Sequence, residues 1–174
     1  MPAFQAHPKL QSLDLGDCQL GDDGIKQICT LLPLSEGREG LVELTLSANQ
    51  NISPQGWTHL AIAIAANSQL RCLYLDYNNI GDYGAGVLSV AMAASLTLER
   101  VDLEGCGISE RGGEMFFTVI ANYPNKMVEL VLFENNISAE LIGQINDCLN
   151  QKSQESEVQE GLDKSREDKN NEAA

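Results

Sequence analysis

Along this chain the apolar residues return in one short phrase. It reads apolar, two residues, apolar, one residue, apolar, two residues, then Asn or Cys, then a further apolar residue. The phrase occurs as Leu10-Leu13-Leu15-Cys18-Leu20, Leu41-Leu44-Leu46-Asn49-Ile52 and Leu70-Leu73-Leu75-Asn78-Ile80. It recurs as Leu98-Val101-Leu103-Cys106-Ile108 and Met127-Leu130-Leu132-Asn135-Ile137. Successive starts lie 31, 29, 28 and 29 residues apart. A fixed period of this size is the signature of a solenoid, in which each unit buries its apolar face only against its neighbours.

Within a unit the period changes. In Leu41-Val42-Glu43-Leu44-Thr45-Leu46 alternate side chains point inward, which predicts a strand. The Asn or Cys then stands where the chain leaves the strand. Asn49, Asn78 and Asn135 can donate and accept, so they are expected to satisfy buried backbone groups of adjacent turns. Cys18 and Cys106 are expected to be small buried fillers. A helix follows, announced by Ser53-Pro54, Asp82, Ser109-Glu110 and Ser138 with Glu140, read as N-caps and first-turn acids. Its apolar stripe is Ile28, Leu31 and Leu32 in the first unit and Leu60, Ala63 and Ile64 in the second. Leu88, Ala91 and Met92 follow, then Phe116, Val119 and Ile120, then Ile145, Cys148 and Leu149. Four residues before the first member stands Gly24, Gly56, Gly84 or Gly112. A helical Gly costs about 1 kcal/mol relative to Ala, so its recurrence predicts a close approach there. Leu141 takes that place in the fifth unit, where a larger side chain would help seal the end.

These units predict an α/β curved solenoid of about five repeats over residues 1–150, starting near 10, 41, 70, 98 and 127. Its parallel sheet lies on the concave side and its helices on the convex side, because helices are wider than the strand spacing. The phrase L-x-x-L-x-L-x-x-(N/C)-x-(L/I), with a 28–29-residue period and a full helix per unit, resembles the ribonuclease-inhibitor class of leucine-rich repeats. The resemblance spans residues 10–149. NOD-like receptors, the activator of the Ran GTPase and the tropomodulins share this class. It implies a protein-binding horseshoe. The chain starts almost directly on a strand, so the first unit is expected to expose an edge and part of its core.

Charge narrows the partners. The formal charge is −14, with 18 acids against 7 bases in residues 1–150 and 7 against 4 in residues 151–174. Such a surface repels nucleic acid and anionic membrane, leaving a basic or neutral protein as the compatible partner. No apolar run is long enough for a membrane helix, and the N-terminus lacks the pattern of a signal peptide. The five cysteines include no C-x-x-C pair, which fits a reduced, cytoplasmic protein. Asn51-Ile52-Ser53 and Asn136-Ile137-Ser138 match glycosylation acceptors, but both fall where a unit turns into its helix. A monomer is expected.

The repeat phase marks the outward strand positions. They comprise Ser12, Asp14, Gly16 and Asp17; Glu43, Thr45, Ser47 and Ala48; and Cys72, Tyr74, Asp76 and Tyr77. Arg100, Asp102, Glu104 and Gly105, with Glu129, Val131, Phe133 and Glu134, complete them. Eight of these 20 are acidic and one is basic. Candidate partner-binding residues are Asp14, Glu43, Tyr74, Asp76, Tyr77, Arg100, Asp102, Glu104, Glu129, Phe133 and Glu134. Acids around exposed aromatics suit a basic, partly apolar segment. Five strands about 4.8 Å apart, with a face about 17 Å long, cover roughly 350 Å², against about 800 Å² per partner in a standard interface. Loops beside the strands, or further repeats, must therefore join in, or binding is weak.

Enzyme chemistry finds no foothold. His7 and His59 have no nucleophile at a fixed offset, and no phosphate loop, dinucleotide fingerprint or metal-ligand set occurs, so no catalytic residue, cofactor or metal is expected. Gly-Asp-Asp-Gly at 21–24 and Gly-Asp-Tyr-Gly at 81–84 offer too few oxygens for calcium. The polar insert at 34–39 reads as a solvated loop. Residues 151–174 read as a disordered acidic tail, with the last helix running on to about Gln154 and Ser153, Ser156 and Ser165 as candidate phosphorylation sites. The function expected is a non-enzymatic, intracellular interaction scaffold. The alternative is regulation of an enzyme in trans, such as activation of a GTPase, by analogy of fold.

Overall fold

A computed structural model describes residues 7, 9–33, 39–67 and 69–154. Strands β1 (Ser12–Asp14), β2 (Glu43–Thr45), β3 (Cys72–Tyr74), β4 (Arg100–Asp102) and β5 (Glu129–Val131) form one parallel sheet in chain order. Each is followed by a helix: α1 (Asp22–Cys29), α2 (Pro54–Asn67), α3 (Gly81–Ala94), α4 (Glu110–Asn122) and α5 (residues 139–154). Helix α5 reaches the position expected for it; the rest of the tail, and the insert at 34–38, lie outside the described residues.

The register follows the phrase. Leu13, Leu44, Leu73, Val101 and Leu130 pair across the sheet and are all buried. Helical positions from Ile28 to Leu149 close the other side of the same core, with Trp57 and Phe116 fully buried within it. Alternation on the strands and the stripe on the helices thus meet in one continuous apolar spine.

Polar ladders tie each unit to the next. Asn78 donates from Nδ2 to Leu46 O (2.9 Å) and Leu75 O (2.7 Å), and its Oδ1 accepts from Asn49 N (2.7 Å). Asn49 repeats this with Leu15 O, Leu46 O and Leu20 N, and Asn135 with Leu103 O, Leu132 O, Cys106 N and Ile108 N. Cys106 is a buried filler that still donates to Leu75 O (3.2 Å), and burial pushes its thiol up to about 12. Cys18 departs from expectation. It is exposed, because among the described residues no preceding turn covers it, and its thiol donates only to Gly16 O.

The caps also differ from the sequence reading. Asp82 is not an N-cap: α3 starts at Gly81, and the Asp82 carboxylate instead accepts from Ser109 N (2.8 Å) and Ser109 Oγ (2.6 Å) of the next unit. Asp22 holds Ser53 in the same way, and Glu110 holds Ser138. These bonds draw the Asp22, Asp82 and Glu110 carboxyls below their ordinary range. An acid in one helical start therefore clamps the serine of the following one. Between the second and third units the matching residues are Pro54 and Gly81, which carry no such groups. Trp57 serves there, buried and donating from Nε1 to Asn79 O (3.3 Å).

The recurrent helical Gly does mark close approach. A Cβ at Gly56 would lie 2.5 Å from Asp22 Oδ1 and 2.6 Å from Ile52 Cγ2; at Gly112 it would meet Ile108 Cγ2 (2.5 Å) and Asp82 Oδ1 (2.8 Å). At Gly56 and Gly112 the position is thus limited by the clamp of the preceding unit and by the last apolar residue of the same phrase, and at Gly24 and Gly84 by that apolar residue, Leu20 or Ile80.

Candidate partner-binding face

Alternation along three-residue strands leaves the residues flanking each buried centre on the inner face. Pairing aligns them in rows: Ser12, Glu43, Cys72, Arg100 and Glu129, then Asp14, Thr45, Tyr74, Asp102 and Val131. Backbone bonds extend the alignment past the strands, from Ala48 N to Asp76 O, Tyr77 N to Glu104 O and Gly105 N to Phe133 O. Gly16, Ser47, Asp76, Glu104 and Phe133 follow in phase, and Asp17, Ala48, Tyr77, Gly105 and Glu134 after them. Every candidate residue read from the sequence falls in these rows.

Their local bonds divide them. In the first row Arg100 offsets the charge of Glu129 (3.7 Å), while Glu43 accepts from Ser12 (3.2 Å) and keeps its own charge. Asp14 and Asp102 each spend one oxygen on a turn, accepting from Gly16 N (2.9 Å) and Glu104 N (3.0 Å). Ser47 Oγ donates to Asp76. The exposed acids of these rows are Asp14, Asp17, Glu129 and Glu134, whereas Asp76 and Glu104, at the strand ends of the third and fourth units, are half-buried and accept from Ser47 and Tyr77. Asp102 beside them is pushed above the usual carboxylate range, first by burial and then by Asp76, Glu104 and Glu129. Burial also raises the Tyr74 phenol.

Tyr77 is the organised member of this end. Its hydroxyl donates to Glu104 Oε1 (2.7 Å) and reaches Glu134 Oε2 at 3.4 Å. The bond to Glu104 pushes the phenol up to about 12. Its ring lies over Gly105, where a Cβ would stand 2.7 Å from Cδ1 and 2.8 Å from Cε1. The backbone at Asp17, Ala48, Tyr77, Gly105 and Glu134 has positive φ, from 49° to 61°. Four of these are not Gly, so the left-handed turn alone does not demand Gly105; the Tyr77 ring does. That seat escaped the sequence reading, although one Gly in a column otherwise without it was the available signal. Phe133 stands beyond this pair, 61% exposed, and Tyr77 is 44% exposed. A groove of about 450 Å³ runs behind Phe133 between β5 and α5, lined by Leu130, Leu132, Ile142 and Asn146 among others.

Among the described residues no group of His, Cys, Asp and Glu could hold a metal, and no helix is long and apolar enough to cross a membrane. His59 is exposed and bonded to Gln55 O, on a helix far from the acidic rows.

Repeat phrase, parallel sheet and outer helices together define a leucine-rich-repeat protein of the ribonuclease-inhibitor type. The family model described as Leucine Rich repeat matches residues 6–29, 66–89 and 94–117. The chain is 51% identical to human leucine-rich repeat-containing protein 73 over 160 residues, covering 92% of this chain and 51% of that protein. It therefore spans about half the length of this relative and of its rat counterpart (50% identity). Pig ribonuclease inhibitor is 30% identical over 75% of this chain and 28% of its own length. Among solved structures, the chain described as Leiomodin-1 Actin-Binding Site 2 superposes with a TM-score of 0.71 at 15% identity, covering 92% of both chains. At that identity it shows the shared fold. Leucine-rich-repeat proteins generally mediate protein–protein interaction.

Proposed function

We propose that this chain is a non-enzymatic, intracellular interaction scaffold that holds a basic or neutral protein segment against its inner face and the adjoining turns. The observation that carries the reading is the end of the sheet formed by Tyr77, Asp76, Glu104, Phe133 and Glu134. There an aromatic ring is held in one orientation over Gly105, a second aromatic stands exposed, and acids that form no ion pair among the described residues surround both. A rigid aromatic loses little entropy on contact, and unpaired carboxylates favour a cationic partner over an anionic one. The five cysteines carry no disulfide, which supports a reduced, cytoplasmic location. Actin binding is named for the leiomodin chain; with only the fold in common it is not carried over.

The test is affinity capture by the full chain and by its Tyr77→Ala and Phe133→Ala variants, followed by titration of the captured partner. Each change is expected to weaken binding by at least ten-fold, on the order of 1.4 kcal/mol, with the fold intact by circular dichroism. Binding should also weaken as salt rises. Unchanged capture by both variants would remove this face from the reading.

A further inference from the structure

The helix side of the molecule carries a second surface, opposite in character to the sheet. With the four helical glycines Gly24, Gly56, Gly84 and Gly112 as a common origin, the outermost positions of α1 to α4 can be compared directly. One residue before that Gly stand Asp23, Gln55, Tyr83 and Arg111. Two residues after it stand Lys26, Thr58, Gly86 and Glu114, and six after it Thr30, Ile62, Val90 and Thr118. The outer helices carry charges there; the middle two do not. Helix α2 holds no Asp, Glu, Lys or Arg in 14 residues, and α3 holds only Asp82, which is committed to Ser109. Ile62 is 61%, Tyr83 58% and Val90 65% exposed. Thr58 and Tyr83 hydroxyls bond at 3.1 Å and hold the two helices' outer rows together. Gly86 opens a groove of about 410 Å³ between α3 and α4, lined by Tyr83, Val87 and Met115.

Ile62, Tyr83 and Val90 put apolar surface on the outer side of helices whose inner side is also apolar, beside the exposed polar Gln55 and His59 of α2, and such surface marks a contact site. In a chain of formal charge −14 the covering surface is restricted. We propose that the α2–α3 face is covered by the same face of a second copy of this chain, giving a weak two-fold dimer in place of the monomer expected from sequence. Two copies repel through any acidic surface, and the helices α2 and α3 carry no acid but Asp82, which holds Ser109. The flanks add complementarity. A two-fold axis parallel to the helices lays α2 on α3 of the second copy and sets α1 opposite its α4. Asp23, which pairs with Lys26 of its own helix at 3.3 Å, then lies opposite Arg111 of the second copy, and Lys26 lies opposite Glu114, at equivalent helical positions and with opposite signs. The convex curvature holds those flanks apart, so they orient the pair within a Debye length of about 10 Å, and do not form tight bridges.

Area sets the strength. Two 14-residue helices, about 21 Å long and about 10 Å wide each, give roughly 400 Å² per copy. That is about half the share in a standard interface, so association is expected only at high concentration, on the order of 10–100 µM or above. The face is distinct from the acidic sheet, so a dimer leaves the proposed partner site open.

Sedimentation of the full chain from low micromolar to millimolar concentration tests the proposal. The wild type is expected to shift from monomer to dimer, and Ile62→Glu with Val90→Glu to weaken the dimer at least about ten-fold by placing a carboxylate in the apolar contact. Both side chains are exposed in one copy, so the melting curve of the variant should not change. Asp23→Lys with Lys26→Glu should weaken the dimer as well, and adding Arg111→Glu with Glu114→Lys should restore it. A wild type that stays monomeric throughout overturns the proposal, as does equal dimerisation of the Ile62/Val90 variant. A monomeric wild type whose Ile62/Val90 variant loses a different, apolar protein partner would assign the face to that partner and would equally overturn it.

Discussion

Replacing Asn78 by Ala removes more than one hydrogen bond. The Asn49 amide loses its acceptor, and Leu46 O and Leu75 O each lose one of two donors, keeping Asn49 Nδ2 and the Cys106 thiol, all in buried surroundings. The orphaned amide costs about 1–3 kcal/mol and each of the two lost bonds to carbonyls about 0.5–1.5 kcal/mol, so with some relaxation a loss of about 2–5 kcal/mol is expected. Against a domain stability of about 5–15 kcal/mol this brings the protein close to unfolding. Asn135→Ala makes the internal control. It has the same kind of partners, but Asn135 is half-buried at the last turn, where water replaces what is lost, so about 1–2 kcal/mol is expected. Urea unfolding followed by far-UV circular dichroism at 25 °C measures both, and an unchanged slope with denaturant shows that the units still unfold together. A loss below about 1 kcal/mol for Asn78→Ala, or an equal loss at both sites, would refute the view that these side chains hold the turns together through buried backbone groups.

Gly105→Ala should cost about 1–2 kcal/mol and weaken partner binding without altering any contact residue, because its Cβ displaces the Tyr77 ring. In a Tyr77→Ala background the same change should cost clearly less, and a double-mutant cycle by urea unfolding reads the difference. The carboxyls of Asp22 and Asp82 sit below their unfolded values, so their contribution is present above about pH 4 and is lost as pH falls through the lowered folded value. Ser109→Ala should therefore lower stability at pH 7 by about 1–2 kcal/mol and by progressively less as the pH falls below about 4, as measured by unfolding across that range. Asp102 has the opposite sign: its folded value is raised, so it destabilises as pH rises from about 4, and Asp102→Asn should stabilise at pH 7 with no gain below pH 4.

The apolar phrase carried the fold because burial is a one-residue property repeated with a fixed period. Leu44, Leu73 and Leu130 are buried where the register required, and the outward rows fall where alternation placed them. The misreadings arise where two units meet. Asp82 looks like a cap within its own helix, and only the stacking shows that it serves Ser109, 27 residues later. Cys18 shares its column with Cys106, but burial depends on what lies on the preceding side. At the candidate face the same limit holds. Residue types revealed acids and aromatics, whereas the Tyr77 ring over Gly105 and the pairing of Arg100 with Glu129 are relations between neighbouring turns. The uncharged α2–α3 surface is legible as a run from Pro54 to Asn67 without Asp, Glu, Lys or Arg, but a helical apolar stripe marks only the side that packs inward.

Seams of two kinds thus run through one stack. Three are fastened by a carboxylate holding a serine, and the one between the second and third turns relies on a tryptophan wedged against its neighbour. Acid releases the first kind and leaves the second untouched, while cooling weakens the apolar wedge before it weakens the carboxylates. Acidified solution should therefore loosen the molecule from both ends toward its middle, leaving the tryptophan-joined pair as the last part to let go.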